Sequence, residues 1–120
     1  MELQREYAGR AEFAICYLEE AHPTDGWMYE AVTHFIPQHH TLQERCIAAE
    51  ILSLELAKLA AGPPQIPLVV DTLSNAASLA YGALPERLVI LQAGAVRFIG
   101  GKGPEEYNIE DARRALQALL

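Results

Sequence analysis

Two short, almost wholly apolar runs constrain this chain more than any other feature. Residues 13–18 read F-A-I-C-Y-L, and residues 66–70 read I-P-L-V-V. Apolar runs without alternation are the mark of strands buried on both faces, and such strands belong to parallel sheets. A parallel pair needs a crossover connection, and the sequence supplies one. Thr41-Leu42-Gln43-Glu44 fits a capping box, and a helix follows to about Ala60. Ile47, Ile51 and Leu54 fall on one side of that helix, and Leu52, Leu56 and Leu59 on an adjoining side. An apolar arc this wide predicts packing against a sheet. Gly62-Pro63-Pro64 ends the helix.

The flanks complete the pattern. Residues 2–7 read as the end of a helix stopped by Gly9, so the chain is expected to begin partway into an element. Ser74-Asn75 caps a short helix through Tyr81. Residues 87–92 and 95–99 pair as a hairpin over Ala93-Gly94, glycine supplying positive φ. Gly100-Gly101-Lys102-Gly103-Pro104 is a turn. Asn108 caps a last helix whose buried stripe is Ile109, Ala112, Leu116 and Leu119. The order is strand, long loop, helix, strand, short helix, hairpin, helix. That predicts an α/β, thioredoxin-like fold lacking its first β-α unit, with residues 1–120 forming a single partial domain. Pro85, just before the hairpin, stands where that fold commonly carries a proline beside its active site.

Composition narrows the function. Nine basic residues against 16 acidic ones give a net charge of −7 in 120 residues. A nucleic-acid binder needs a basic face to displace counterions, and anionic lipid asks for the same, so neither partner is expected. The sequence has two cysteines and no C-x-x-C, which excludes a disulfide framework and ordinary thioredoxin chemistry. The first residues lack the apolar core of a signal peptide, and no run reaches the ~18 apolar residues of a membrane span. No membrane segment and a cytoplasmic, reducing location are expected.

The chemistry concentrates around one loop. Residues 21–40 exceed the ~12–15 residues usual for a structureless connection, which points to function. His22, His34, His39 and His40 fall within it, at spacings that match no standard zinc pattern, so no metal is expected. His22 follows a strand's carboxyl end, where open α/β sheets bind ligands, with Glu20 just before it. Tyr17, turned to the same side, completes a group able to relay a proton. Spacing alone supports a solvated strand-end loop equally well. Cys16, inside a buried strand, is expected to be inert; Cys46 reads as a small buried residue. Arg87 fits either bidentate binding of a carboxylate or phenolate, or an ion pair with Glu86 or Asp71. The glycines at 100–103 do not form a phosphate loop, because no helix opens directly on them.

At longer range the residues become specific. Tyr17-Leu18-Glu19-Glu20-Ala21-His22-Pro23-Thr24-Asp25-Gly26-Trp27 closely resembles the Y-I-E-E-A-H-P-S-D-G-W segment of the iodothyronine deiodinases. Ile36-Pro37-Gln38-His39 resembles the family's I-P-Q-H, and Val69-Val70-Asp71-Thr72 with Asn75 its V-V-D-T-M-x-N. Residues 80–88 resemble its Y-x-A-L-P-E-R-L. Gly100-Gly101-Lys102-Gly103-Pro104 with Tyr107-Asn108 resembles its G-G-K-G-P-x-x-Y-N. The matches run in order from about residue 13 to 119, with traits of three enzyme types mixed.

The resemblance implies a thioredoxin-fold selenoenzyme that reductively removes iodide from thyroid hormones or related halogenated phenols. Its substrate is an iodinated phenolic small molecule and its co-substrate a thiol reductant, with no other cofactor. It further implies a homodimer with an N-terminal membrane anchor. Carried over, Tyr17, Glu20 and His22 are the catalytic acid–base group, with His22 giving a proton to the carbon that loses iodine. His39, Arg87 and Trp27 are the substrate-binding residues. The family's selenocysteine lies in the first strand–helix turn of its domain, a position upstream of this sequence, and nothing here replaces it. The expected function is therefore a deiodinase-type oxidoreductase domain truncated downstream of its nucleophile and inactive alone. The alternative is a non-catalytic thioredoxin-like binding or dimerisation module.

Overall fold

The computed structural model describes residues 2–26, 36–60 and 66–120. Their elements run α1 (Glu2–Glu6), β1 (Ile15–Tyr17), α2 (Leu42–Leu59), β2 (Leu68–Val70), α3 (Ala76–Tyr81), β3 (Val89–Gln92), β4 (Ala95–Ile99) and α4 (Ile109–Leu119). The architecture is mixed α/β. Strands β1 and β2 pair in parallel, with Ile15 opposite Leu68, Cys16 opposite Val69 and Tyr17 opposite Val70. The ladder runs one step past each end: Ile15 N–H donates to the Pro67 carbonyl and Asp71 N–H to the Tyr17 carbonyl, each at 2.9 Å. Strands β3 and β4 form the antiparallel hairpin, and no ladder joins the two pairs among the described residues.

The β1–β2 pair is shorter and less covered than its apolar runs predict. Cys16 is exposed and Val69 is 52% exposed, so burial on both faces does not hold. Alternation puts these two on one side of the pair, with Ile15, Tyr17, Leu68 and Val70 on the other. Ile15 and Leu68 line a small cavity with Leu56, Ala57 and Ala60 of α2, which marks the covered side.

Helix α2 spans the expected residues, and its inward face continues the line of the half-buried Leu52 and Leu56 toward the helix start. Arg45, Ala48 and Ala49 are buried, whereas Leu54 and Leu59 of the apolar arc are 66% and 73% exposed. Two adjacent alanines let the helix backbone come close to the sheet, and that approach selects the face. At its start, Thr41 Oγ1 accepts the Glu44 N–H at 3.0 Å, as a capping box requires. The Glu44 carboxylate reaches back one residue further than expected, accepting the His40 N–H at 2.6 Å. The expected stop at Gly62-Pro63-Pro64 lies outside the described residues.

Helix α3 begins at Ala76 after Asn75, whose φ is 58° and whose side chain makes no capping bond. Asp71 does that work from four residues upstream. Its Oδ1 accepts the N–H groups of Thr72 and Ala77, and its Oδ2 accepts that of Ser78. Thr72 Oγ1 takes the Ala76 N–H at 3.2 Å, so the helix's first donors are satisfied by the end of β2 rather than by Ser74-Asn75.

The hairpin turns at Ala93 (φ 52°) and Gly94 (φ 75°), two positive φ values that match the right-handed twist of paired strands. Strand β3 starts at Val89, which leaves Arg87 in the preceding segment. Helix α4 packs on β3 and buries Ala112 and Leu116, while Ile109 of the expected stripe stays exposed. Asn108 Oδ1 caps it by accepting the Glu110 N–H at 2.9 Å. Arg113 reaches from α4 to Glu6 and Glu2 and so ties the first helix to the last. Among the described residues, no helix is long and apolar enough to cross a membrane.

Candidate active site

The carboxyl ends of the parallel strands β1 and β2 carry the densest polar cluster among the side chains described. Tyr17 closes β1, Glu20 follows in the turn, and His39 returns to them from the far end of the long loop. The Tyr17 hydroxyl donates to Glu20 Oε1. His39 Nε2 lies 3.6 Å from the same oxygen, and its ring centroid is 5.7 Å from that of Tyr17. The structure therefore brings together three of the residues singled out from sequence, two catalytic and one substrate-binding.

The loop reaches this position through bonds at its base. Thr24 N–H donates to the Ile36 carbonyl at 3.0 Å, and Gln38 N–H to Asp25 Oδ1 at 2.8 Å. The Gln38 amide then grips the Glu20 backbone, its Oε1 accepting the Glu20 N–H and its Nε2 donating to the Glu20 carbonyl. This is a side-chain imitation of a β-bridge. It places His39, the next residue, against the end of β1.

Sequence reasoning missed Arg45. Its side chain is fully buried, and its acceptors among the described residues are all neutral. Nε donates to His39 Nδ1 at 3.0 Å. The terminal nitrogen Nη1 donates to the Thr72 carbonyl at 2.6 Å, the Asn75 side-chain oxygen at 3.0 Å and the Asp71 carbonyl at 3.4 Å. One guanidinium thus joins the start of α2, the end of the loop and the β2–α3 connection. The available signal was the helical period: Arg45 shares a face with Ala48 and Ala49, a cation on a small-residue stripe.

Electrostatics follow from this packing. Burial raises the Tyr17 phenol well above its ordinary value, and donation to Glu20 raises it further, so Tyr17 stays protonated. Burial pushes His39 below the usual imidazole range. The Glu20 charge opposes that shift and the Arg45 charge adds to it, which leaves His39 neutral near pH 7. His39 Nε2 is buried and has no hydrogen-bond partner among the described residues. The cluster holds a neutral phenol, a carboxylate that accepts its proton, and a neutral imidazole with an open nitrogen. Such a set can bind an oxygen-bearing ligand and move a proton. Burial also raises the Cys16 thiol, with Asp71 adding to the effect, and Cys16 lies on the exposed face rather than in a buried strand. Its surroundings differ from those expected, yet they too disfavour a thiolate.

The remaining sequence candidates lie elsewhere or outside the description. His22 is half-buried in the bend after Glu20. Arg87 donates through Nε to the Gly100 carbonyl at 2.7 Å and through Nη1 to the carbonyls of Tyr81 and Gly82. It braces the end of α3 against the end of β4. Trp27 and His34 lie outside the described residues. His40 Nε2 is 3.7 Å from Asp25 and is exposed. No group of three metal-binding side chains occurs among the described residues.

Comparison with known proteins places these residues in context. The family model for iodothyronine deiodinase matches residues 1–119. Thyroxine 5-deiodinase of Bos taurus is 41% identical over 115 residues, covering 96% of this chain and 36% of the relative. The Homo sapiens thyroxine 5-deiodinase is 40% identical over the same shares. The type II iodothyronine deiodinase of Petromyzon marinus is 36% identical over 118 residues, covering 98% of this chain and 39% of the relative. The chain thus spans little more than a third of the length of these relatives. With residues 1–119 matched by the family model, this chain belongs to the iodothyronine deiodinase family.

Proposed function

We propose that this chain supplies the acid–base and substrate-binding part of a deiodinase-type oxidoreductase domain with a thioredoxin-like fold. The observation that carries the reading is the Tyr17–Glu20–His39 cluster at the carboxyl ends of two parallel strands, inside a deiodinase-family domain. The substrate is an iodinated phenol of the thyroxine class. Reductive loss of iodine from an aryl carbon consumes two electrons and one proton and yields the arene and iodide. A thiol reductant provides the electrons. His22 delivers the proton to carbon, and His39, Arg87 and Trp27 hold the substrate. The attacking atom is not among these residues, since the sequence contains no selenocysteine and Cys16 is held as a thiol. The assembly in this reading is a homodimer.

Two measurements test it. Isotope-labelled chain is titrated with thyroxine, and the ring signals of Tyr17 and His39 are expected to shift together and saturably. Iodide release from labelled thyroxine with a small dithiol is expected to match a heat-killed control for the 120 residues alone. Turnover by the isolated chain, or thyroxine binding that leaves Tyr17 and His39 unmoved, overturns the reading.

A further inference from the structure

The site contains a proton-bearing group whose state is set by a residue that never reaches the open side of the cluster. Arginine carries five N–H donors and no acceptor. The contact between Arg45 Nε and His39 Nδ1, 3.0 Å long, therefore requires a bare lone pair on Nδ1. A neutral imidazole then has its only proton on Nε2. That nitrogen is the buried one without a hydrogen-bond partner among the described residues, and it faces Glu20 Oε1 at 3.6 Å. Protonating the ring would set an Nδ1–H against a guanidinium N–H and break the bond. Arg45 cannot turn aside to permit this, because its other end is held by Asp71, Thr72 and Asn75.

We propose that Arg45 is a positioning residue that locks His39 as the neutral Nε2–H tautomer, aiming one donor at the Tyr17–Glu20 pair. The inference rests on the reading of that cluster as the active site, and it adds how the cluster is kept ready. Among the described residues, the charged and titratable groups around His39 are Glu20, Glu19, Glu44, Arg45 and Tyr17. Of these, Arg45 alone donates a hydrogen bond to the ring. Without it, Glu20, Glu19 and Glu44 would all favour the imidazolium. A merely structural Arg45 would hold α2 to the β2–α3 connection and leave the ring's proton free to choose.

The test is long-range proton–nitrogen correlation spectroscopy on the nitrogen-15-labelled 120-residue chain across pH 5 to 8, for the natural sequence and for Arg45→Met. The natural chain is expected to show His39 with Nε2 protonated and Nδ1 bare at neutral pH, and to keep that signature below the pH at which an ordinary histidine titrates. Arg45→Met is expected to show a mixture of both tautomers and an upward move of the His39 midpoint. A natural chain with His39 as the Nδ1–H tautomer, or as imidazolium at pH 7, overturns the proposal whether or not the variant folds. A folded variant with an unchanged tautomer and midpoint also overturns it. The readout involves no substrate. A chain that shows the expected tautomer yet fails to bind thyroxine counts against the proposed function and leaves the Arg45–His39 relationship standing.

Discussion

The side chain of Gln38 closes a two-bond ring on the backbone of Glu20, donating to its carbonyl at 2.9 Å and accepting its N–H at 3.0 Å. The two residues stand 18 positions apart, at opposite ends of the long loop. The ring brings the loop's return limb to the end of β1, and with it His39.

Replacing Gln38 by glutamate removes the donor and sets a carboxylate against the Glu20 carbonyl. Replacing it by alanine removes both bonds. Each change is expected to cost about 1–3 kcal/mol of folding stability, since it leaves half-buried backbone groups unpaired. Gln43→Ala, on the exposed side of α2, is expected to fall within about 0.5 kcal/mol of zero. Urea unfolding measures all three. Equal effects from Gln38→Ala and Gln43→Ala would mean that the ring does not hold the loop.

Stability is expected to fall in two steps as pH drops. Burial holds His39 below the usual imidazole range, with Arg45 adding to the effect. The unfolded chain therefore takes up that proton first. Its contribution is complete above about pH 6.5 and is lost as pH falls from there through the folded midpoint. Asp71 behaves as a depressed carboxylate. Burial would raise it, but the N–H groups of Ser78, Ala77 and Thr72, with Arg45, outweigh burial and hold it below the usual range. Its contribution is present above about pH 3.9 and is lost as pH falls through the lower folded value. The urea midpoint recorded from pH 3 to 8 is expected to show both steps. His39→Gln should flatten the upper one and Asp71→Asn the lower, and a step that persists unchanged in the variant meant to remove it would contradict the assignment.

The hairpin contains a removable strain. Ala93 sits at φ 52°, a region where a side chain crowds the following carbonyl. Asparagine tolerates this conformation, so Ala93→Asn is expected to stabilise the chain by about 0.5–1 kcal/mol. Ala95→Asn, two residues on and inside β4, is expected to destabilise it. Thermal melts of the two variants should move in opposite directions.

The glycines at 100–103 differ in what they permit. A Cβ on Gly101 would lie 2.5 Å from the Glu106 carbonyl oxygen, which is backbone and cannot swing away. The three atoms nearest a Cβ on Gly103 all belong to the Glu86 side chain, which can rotate. Gly101→Ala is expected to cost about 1–3 kcal/mol and Gly103→Ala clearly less. Denaturant titration ranks the pair, and the reverse order would mean that this turn is set by something other than the approach of Glu106.

Much of this molecule could be read along the chain. The caps at Thr41 and Asn108, the extent of α2 and the hairpin over Ala93-Gly94 rest on contacts between residues close in sequence, and the parallel pairing followed from two apolar runs joined by a helical crossover. The motif from Tyr17 to His22 and the I-P-Q-H run pointed to the cluster, because residue type and position at a strand end are local facts. Local pattern failed where burial had to choose between options. It spread the inward face of α2 over a wide leucine arc, but Leu54 and Leu59 stay exposed and the fully buried positions are Arg45, Ala48 and Ala49, where small residues let the backbones approach. It put the cap of α3 at Asn75, but Asp71 takes the N–H groups because its position at the end of β2 aims both oxygens at them. It left Arg87 between a bound ligand and an ion pair, and could not foresee the three carbonyls from two segments that converge on it.

The sequence by itself determined the element order, the caps and the set of acid–base side chains offered at one end of the strands. Propensity, period and short-range hydrogen bonding act within a few residues. The tertiary structure alone decided that Arg45 would be buried against His39 while holding Asp71, Thr72 and Asn75, which lie 26 to 30 positions further on. Such a contact exists only once the crossover has brought α2 beside the end of β2. There a guanidinium cut off from water must find its acceptors among whatever groups the fold has placed nearby.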